Sequence, residues 1–391
     1  MARFFRLLLL GTGLITGGFA LAQEEPRLGD SRVGSALEDR IELVNEGNKL
    51  LAKGWFGAAL PIWQQLLADD PSNANTNFKV GLCYHHSIDE QVKGLQHFKV
   101  AVGNMHPDYN FNGRTESTAP YDALYFLGET YLAANEPDSA LDRFLEYQNH
   151  FNGQPPIPVD RQILMCVNAR RASRNRRDVT IKNLGETINS EFAETNPVLT
   201  IDNSVIFFAS RRLRDREDGL APVADPITGK YQEDIYLAQR GEDGEWAISG
   251  LFNLSSDISE APLFLSADGL TLYLRREEKG NVDLFTSEFR DGVWAQPVAV
   301  GGVNSKANEI GVSVDGAGQY LYFSSNREGG LGNYDLYRCE RRANGKWGKP
   351  ENISARINTP FNEVSPFIHP DGKTLFFSSD GYRNRGMGGF D

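Results

Sequence analysis

The hydrophobic positions follow two rhythms along this chain. From Ala36 to about Arg177, apolar residues recur at the three- and four-residue spacing of helices that bury one face. From Asp178 to Asp391 the spacing drops to alternation, in short runs rich in Phe, Tyr, Leu and Ile and broken by Asp-Gly steps. The pattern predicts a multidomain chain, with an all-α half over 36–177 and an all-β half over 178–391. A separate apolar run, Leu7 to Leu21, precedes both. Arg3 and Arg6 flank it, and Ala20-Leu21-Ala22 supplies the small residues of a cleavage site. It is too short and glycine-rich for a membrane span. Residues 1–22 therefore read as a signal peptide and 23–35 as a linker. No later run is long and apolar enough to add a transmembrane segment to the mature chain.

Within the helical half a pattern repeats. Leu43, Gly47, Leu50, Ala59, Trp63 and Pro71 describe a helical hairpin: the small residues let two helices approach, the large ones fill the space beside them, and Pro71 stops the second helix. Gly81 follows Gly47 by 34 residues, with Tyr84, Gly94, Phe98 and Ala101 after it. The pattern returns at Leu124, Leu127, Gly128, Tyr131, Ala140 and Phe144. The segment Gly103 to Pro120 reads as an inserted loop, and Asp160 to Ala172 as a polar capping helix. This set resembles the tetratricopeptide-repeat family. The resemblance implies a solenoid whose concave groove holds extended or helical peptide segments. No residue names the ligand.

Four units align in the second half. Each carries an Asp-Gly or Asp-Asn turn (Asp202-Asn203, Asp268-Gly269, Asp315-Gly316, Asp371-Gly372). Each then carries an aromatic strand: Ile206 to Arg211, Leu272 to Arg275, Leu321 to Arg327, Leu375 to Ser379. An Asp follows, at Asp234, Asp283, Asp335 and Asp391, and in three units a Trp at Trp246, Trp294 and Trp347. A repeat of roughly 50 residues with several strands is the signature of a propeller blade, so at least four blades are expected. An Asp present in every unit reads as structural, bonding backbone amides at a turn. Val179 to Ser190 imitates the segments Asn352 to Thr359 and Ala299 to Ser305. It is expected to be an outer strand that opens the domain. The chain stops where a further strand should begin, so the propeller is expected to be C-terminally truncated.

Pro366 to Ser379, and Phe323-Ser324-Ser325-Asn326-Arg327 with Gly329-Gly330 and Asp335-Leu336-Tyr337, resemble the Tol-B/WD-type propeller repeats of exported bacterial proteins. The second unit departs, with Leu274-Arg275-Arg276 where Ser-Ser-x-Arg is expected. The order signal peptide, helical repeats, propeller resembles the PorE-like family: periplasmic proteins of Bacteroidetes-type bacteria that end in an OmpA-like peptidoglycan-binding domain. The resemblance implies a periplasmic, outer-membrane-associated scaffold for protein partners. Peptidoglycan would be bound only through the OmpA-like domain absent from this sequence. Two other readings stay open: a propeller that captures a small ligand or glycan, and the accessory half of an exported hydrolase.

Composition narrows the chemistry. A net charge of -12 repels phosphate backbones and argues against nucleic-acid binding. Cys83, Cys166 and Cys339 are far apart and in no metal-binding spacing, so free packed thiols are expected. Cys83, His85, His86 and His97 share one helical pair but fit no metal site. Gly329-Gly330-Leu331-Gly332 and Gly386-Met387-Gly388-Gly389 lack the lysine and helix of a phosphate cradle and read as turns. With no GxSxG, HExxH or EF-hand loop, no catalytic residue, metal or cofactor is implied. Two basic stretches stand out: Arg161, Arg170, Arg171, Arg174, Arg176 and Arg177 at the end of the helical half, and Arg211, Arg212, Arg214 and Arg216 opening an insertion that runs to Gln232. Arg170, Arg171, Arg174, Arg211, Arg212, Arg214 and Arg216 are the candidate partner-binding residues, because the guanidinium fork pairs carboxylates and phosphates. The insertion is the candidate for partner specificity.

Overall fold

The computed structural model describes residues 36–391 apart from 88, 175–177, 214–221, 253, 255, 257, 383–385 and 388. The expected signal peptide and linker lie outside the described residues. The described chain begins with three helical hairpins: α1 (Ala36–Ala52) with α2 (Phe56–Asp69), α3 (Ala74–His85) with α4 (Gly94–Ala101), and α5 (Asp122–Ala133) with α6 (Pro137–His150). A single helix, α7 (Asp160–Ser173), packs on α6. No helix among the described residues is long and apolar enough to cross a membrane.

The three hairpins close by one device. A large ring on the second helix lies flat on a glycine of the first. A Cβ added at Gly47 would sit 2.7 Å from the Trp63 ring, at Gly81 2.7 Å from Phe98, and at Gly128 2.6 Å from Phe144. The rings are fully buried, so the glycine is what allows the helices to meet. Asn73 caps α3 by accepting from the Thr76 amide at 2.9 Å.

Four antiparallel sheets follow. Sheet 1 is β1 (Glu194–Leu199), β2 (Val205–Ser210), β3 (Asp234–Arg240) and β4 (Trp246–Leu251), in that order. Sheet 2 is β5 (Glu260–Leu265), β6 (Thr271–Glu278), β7 (Asn281–Arg290) and β8 (Val293–Trp294), with β9 (Val298–Ala299) also on β7. Sheet 3 is β10 (Glu309–Val314), β11 (Tyr320–Ser325), β12 (Asp335–Glu340) and β13 (Glu351–Asn352), and sheet 4 is β14 (Glu363–Ile368) with β15 (Leu375–Ser379). The innermost strands stand side by side, β1 on β5, β5 on β10 and β10 on β14. Apolar cores fill the gaps between sheets. Phe207 and Ile235 meet Leu265, Leu272 and Leu274; Tyr273 and Leu284 meet Val312, Leu321 and Phe323.

The turns agree with the sequence except in one place. Asn203, Gly269 and Gly372 have positive φ, but in sheet 3 the positive φ falls on Gly318 (67°), not on Gly316. Asp315 instead accepts from the Gln319 and Tyr320 amides, at 2.7 and 3.1 Å. The expected opening strand is also corrected. Val179 to Ser190 forms no strand. In sheet 3, Asn358 bonds both the amide and the carbonyl of Leu336, at 2.8 and 3.0 Å. Its counterpart Asn189 turns back to Asn183 and to the Gly185 carbonyl, at 2.9 and 3.2 Å. No strand pairs with the segment among the described residues; Ile188 instead packs into the core of sheet 1 with Ile206, Phe208 and Tyr236.

Each sheet is headed by a glutamate, buried in sheets 2, 3 and 4 and half-buried in sheet 1. In sheet 3, Glu309 accepts from the Ser305 amide (3.0 Å), the Ser305 hydroxyl (2.8 Å), the Ser325 hydroxyl (2.8 Å) and Arg327 (2.8 Å). Arg327 also donates to the Val303 carbonyl at 2.7 Å and lies 5.0 Å from the Tyr337 ring. Sheet 1 repeats the set with Glu194, Ser190, Ser210 and Arg212. Sheet 2 departs as its sequence does: Arg276 occupies the serine register opposite Glu260 and pairs with it at 2.6 Å. Sheet 4 keeps Thr359, Glu363 and Ser379 but has Gly381 where the arginine belongs. Glu309→Ala should therefore cost about 3–5 kcal/mol, since it strands Arg327 in the interior. Arg327→Ala should cost less, because three donors remain, as they do for Glu363 in sheet 4. Denaturant midpoints of the two variants check this; the reverse order would remove the carboxylate from its central place.

Candidate functional site

The helical half buries polar chemistry on α3. Lys79 is fully buried. Its Nζ donates to Asn48 Oδ1 at 2.6 Å and to the Phe111 carbonyl at 2.8 Å. It sits between two rings, 4.3 Å from Trp63 and 4.8 Å from Phe111. One turn earlier, Asn75 Oδ1 accepts from the Tyr109 hydroxyl at 2.8 Å. Tyr109 and Phe111 belong to the loop inserted between α4 and α5. The inserted loop therefore packs back onto α3. The sequence marked the loop but not its destination.

Burial pulls the Lys79 ammonium down to about 7, with Glu116 opposing part of the shift. His85 and His86 are likewise driven down by burial, to about 3 and 4. They serve as packing rings: His86 stacks on Phe56 at 3.8 Å and His85 meets Phe126 edge-on at 5.0 Å. His97 bonds Asn77 at 3.0 Å. All three cysteines are free and buried, and burial raises the Cys83 thiol to about 12. No cluster of His, Cys, Asp or Glu that could hold a metal occurs among the described residues.

Among the described residues, the two halves meet at two places. The insertion in sheet 1 reaches the start of α2, where the Gly57 and Ala58 amides donate to the Ile227 and Pro226 carbonyls at 2.8 and 3.0 Å. These are first-turn amides with no partner inside their helix. Lys230 closes the contact on Asp89 and Glu90 at 2.9 and 2.8 Å. At the other end, Arg161 on α7 donates to the Asp380 carbonyl and lies 4.5 Å from the Phe361 ring. Asn168 donates to the Gly386 carbonyl at 3.0 Å. Beside Arg161, burial pushes the Glu129 carboxyl up, partly offset by Gln162, Tyr125 and the Arg161 charge. Nothing in the local spacing marks this cluster, because its members lie on separate helices.

The candidate arginines divide. Arg212 pairs inside sheet 1 with Glu194, donates to the Ile188 carbonyl at 2.7 Å and lies over Tyr236. Arg211 pairs with Glu233 at 3.3 Å and donates to the Tyr231 carbonyl. Arg170 is exposed and pairs with Asp138 at 2.8 Å. Arg171 and Arg174 are exposed on and just beyond the last turn of α7. Arg176, Arg177, Arg214 and Arg216 lie outside the described residues. The described part of the insertion is turned toward the helical half.

The repeated Asp also divides. Asp335 accepts from the Leu331 and Gly332 amides at 2.6 and 3.0 Å, and Asp391 from the Met387 amide at 2.6 Å. These amides of the glycine clusters are thereby taken by a carboxylate of the chain. Asp283 differs: burial and the neighbouring Glu309 push its carboxyl up.

No family model matches this chain, and no curated protein does. Among solved structures it is similar to TolB from Acinetobacter baumannii, at 15% identity over 50% of this chain and 40% of that one, with a TM-score of 0.33. It is similar to the putative TolB from Agrobacterium tumefaciens at 14% identity, over 52% and 80% of the two chains, with a TM-score of 0.28. It is similar also to the Cps50 (Swd1) β-propeller domain from Myceliophteria thermophila at 13% identity, over 50% and 52%, with a TM-score of 0.28. The chain spans 40% of the length of the first of these. None of these likenesses bears on function.

Two outcomes are expected. In the unfolded chain Lys79 takes the ordinary lysine value, so between about pH 7 and 10 the unfolded chain holds a proton that the folded chain has released. Stability should therefore rise with pH across that window, and thermal melts of Lys79→Met should lose that part of the slope; an unchanged slope contradicts the assignment. A Cβ at residue 57 would lie 2.0 Å from the Gly229 amide nitrogen. Gly57→Val should therefore lift the insertion and speed proteolytic cleavage within 222–232, with far-UV circular dichroism unchanged. Equal cleavage rates would show that the contact does not hold the insertion.

Proposed function

We propose that this chain is a non-catalytic periplasmic scaffold, a tetratricopeptide-type solenoid joined to Tol-B/WD-type propeller blades, which mediates protein–protein interactions of an outer-membrane-associated assembly. The observation that carries the reading is the fate of the buried carboxylates in the sheets. The glutamates heading the four sheets are closed on hydroxyls, amides or arginines of their own sheet. Groups consumed in this way stabilise repeats and are not free to act on a substrate. Arg171 and Arg174 remain exposed for a partner, and the helical half offers a face already shaped around aromatic side chains.

The test is capture and turnover on the same preparation. Full-length chain, immobilised and incubated with solubilised outer membrane, should retain a defined partner in stoichiometric amount, and Arg171→Glu/Arg174→Glu should weaken the capture several-fold. A panel of peptidase, esterase and glycosidase substrates should show no turnover. Turnover abolished by one polar substitution would overturn the scaffold in favour of an enzyme. A thermal shift with glycans and no protein capture would overturn it in favour of ligand binding.

A further inference from the structure

The loop that crosses α3 has the form of a bound peptide. Most of its side chains from Gly103 to Ser117 are exposed, while Tyr109 is buried and Phe111 half-buried. These two aromatics, separated by one residue, are the anchors. The Tyr109 hydroxyl donates to Asn75, and its ring meets Phe78 edge-on with centroids 6.0 Å apart. The Phe111 carbonyl accepts from Lys79, and its ring lies 4.8 Å from the same ammonium that Trp63 approaches at 4.3 Å. Asn75 Nδ2 also donates to the Glu116 carbonyl at 3.3 Å. Asn75 and Lys79 are one helical turn apart, so one face of α3 reads both anchors.

Two features separate this contact from ordinary packing. The first is the buried lysine. Among the described residues no carboxylate pairs with it directly; its bonds go to a neutral amide oxygen and a main-chain carbonyl. An apolar residue there would serve stability better, since an ammonium is costly to desolvate. The second is the loop's self-sufficiency. Glu116 accepts from the Asn110 amide (3.0 Å), the Ser117 amide (3.0 Å), the Thr118 amide (2.9 Å) and the Thr118 hydroxyl (2.7 Å). The loop therefore keeps its shape through its own bonds.

We infer that this face of α3 is a peptide-recognition site and that the loop is its resident occupant, displaced by a partner segment carrying an aromatic–x–aromatic pair. The site supplies an amide to the first aromatic's hydroxyl, a cation to the second ring, and a donor to the second residue's carbonyl. Being tethered, the resident loop competes at an effective concentration in the millimolar range. It sets a threshold that only a well-matched partner passes. The inference rests on the scaffold reading for its use, but the competition is a property of this chain alone.

The experiment uses a fluorescent peptide spanning Pro107 to Ser117 and the full chain. Tyr109→Ser/Phe111→Ser, which empties the site, should bind the peptide saturably and at least about tenfold more tightly than the unmodified chain. Adding Lys79→Met or Asn75→Ala to that background should abolish binding. Binding that is equal with and without the native loop, or indifferent to Lys79→Met, would overturn the inference. If the emptied variant does not fold, hydrogen exchange of the unmodified chain in excess peptide decides. Faster exchange in residues 105–119 supports displacement, and unchanged exchange overturns it. Failure here leaves the scaffold reading standing, because that reading is judged by capture and turnover.

Discussion

A carboxylate sealed into the head of each sheet is the constraint on which the β half depends. Glu194, Glu260, Glu309 and Glu363 stand at the first residue of the inner strand, where the preceding turn and the end of the second strand converge. Each ties a hydroxyl residue four positions upstream to its own strand, and in sheets 1, 3 and 4 it also takes the serine that ends the neighbouring strand. An ionised group in such a place is tolerated only when its lone pairs are filled. The filling fixes the bulge at the start of the inner strand and the register of its partner. In sheets 1 and 3 the arginine two residues beyond the serine completes the set and carries the bond back to the preceding turn.

Sheet 4 shows what happens when that arginine is missing. Gly381 stands in its place, and Thr359 fills the space beside it: a Cβ at residue 381 would lie 2.0 Å from the Thr359 hydroxyl oxygen. An arginine from the helical half, Arg161, arrives at the neighbouring Asp380 carbonyl and stacks on Phe361. At the far end, the insertion of sheet 1 satisfies the first amides of α2. The helical half therefore bridges the first and last described sheets. Both contacts rest on main-chain groups left open by local structure, a helix N-terminus at one end and a turn carbonyl at the other. They orient surfaces that would otherwise hang on the connection between the halves.

Much of this was legible in the sequence, for a local reason. Gly47, Gly81 and Gly128, each followed by a large ring, specify the hairpins because helix approach depends only on residues about sixteen apart in one chain segment. The Asp-led turns and the Phe/Tyr runs specify the sheets in the same way. Even the departure at Leu274-Arg275-Arg276 pointed to a real difference, since Arg276 takes the serine register there. The glutamates that head the sheets were not singled out, because in sheets 1, 3 and 4 each closes on its serine only once the second strand has paired beside the first.

The order of helices, turns and strands, and the residues that pack them, can be read along the chain, because each is set by short-range spacing and backbone preference. Which polar groups are free follows only from the folded arrangement. Arg211 and Arg212 read as surface charges and are consumed by Glu233 and Glu194, while Tyr109 and Phe111 read as loop residues and cover α3. Those pairings join residues distant in sequence, and their energies depend on desolvation and on geometry that exists only once the halves have folded together.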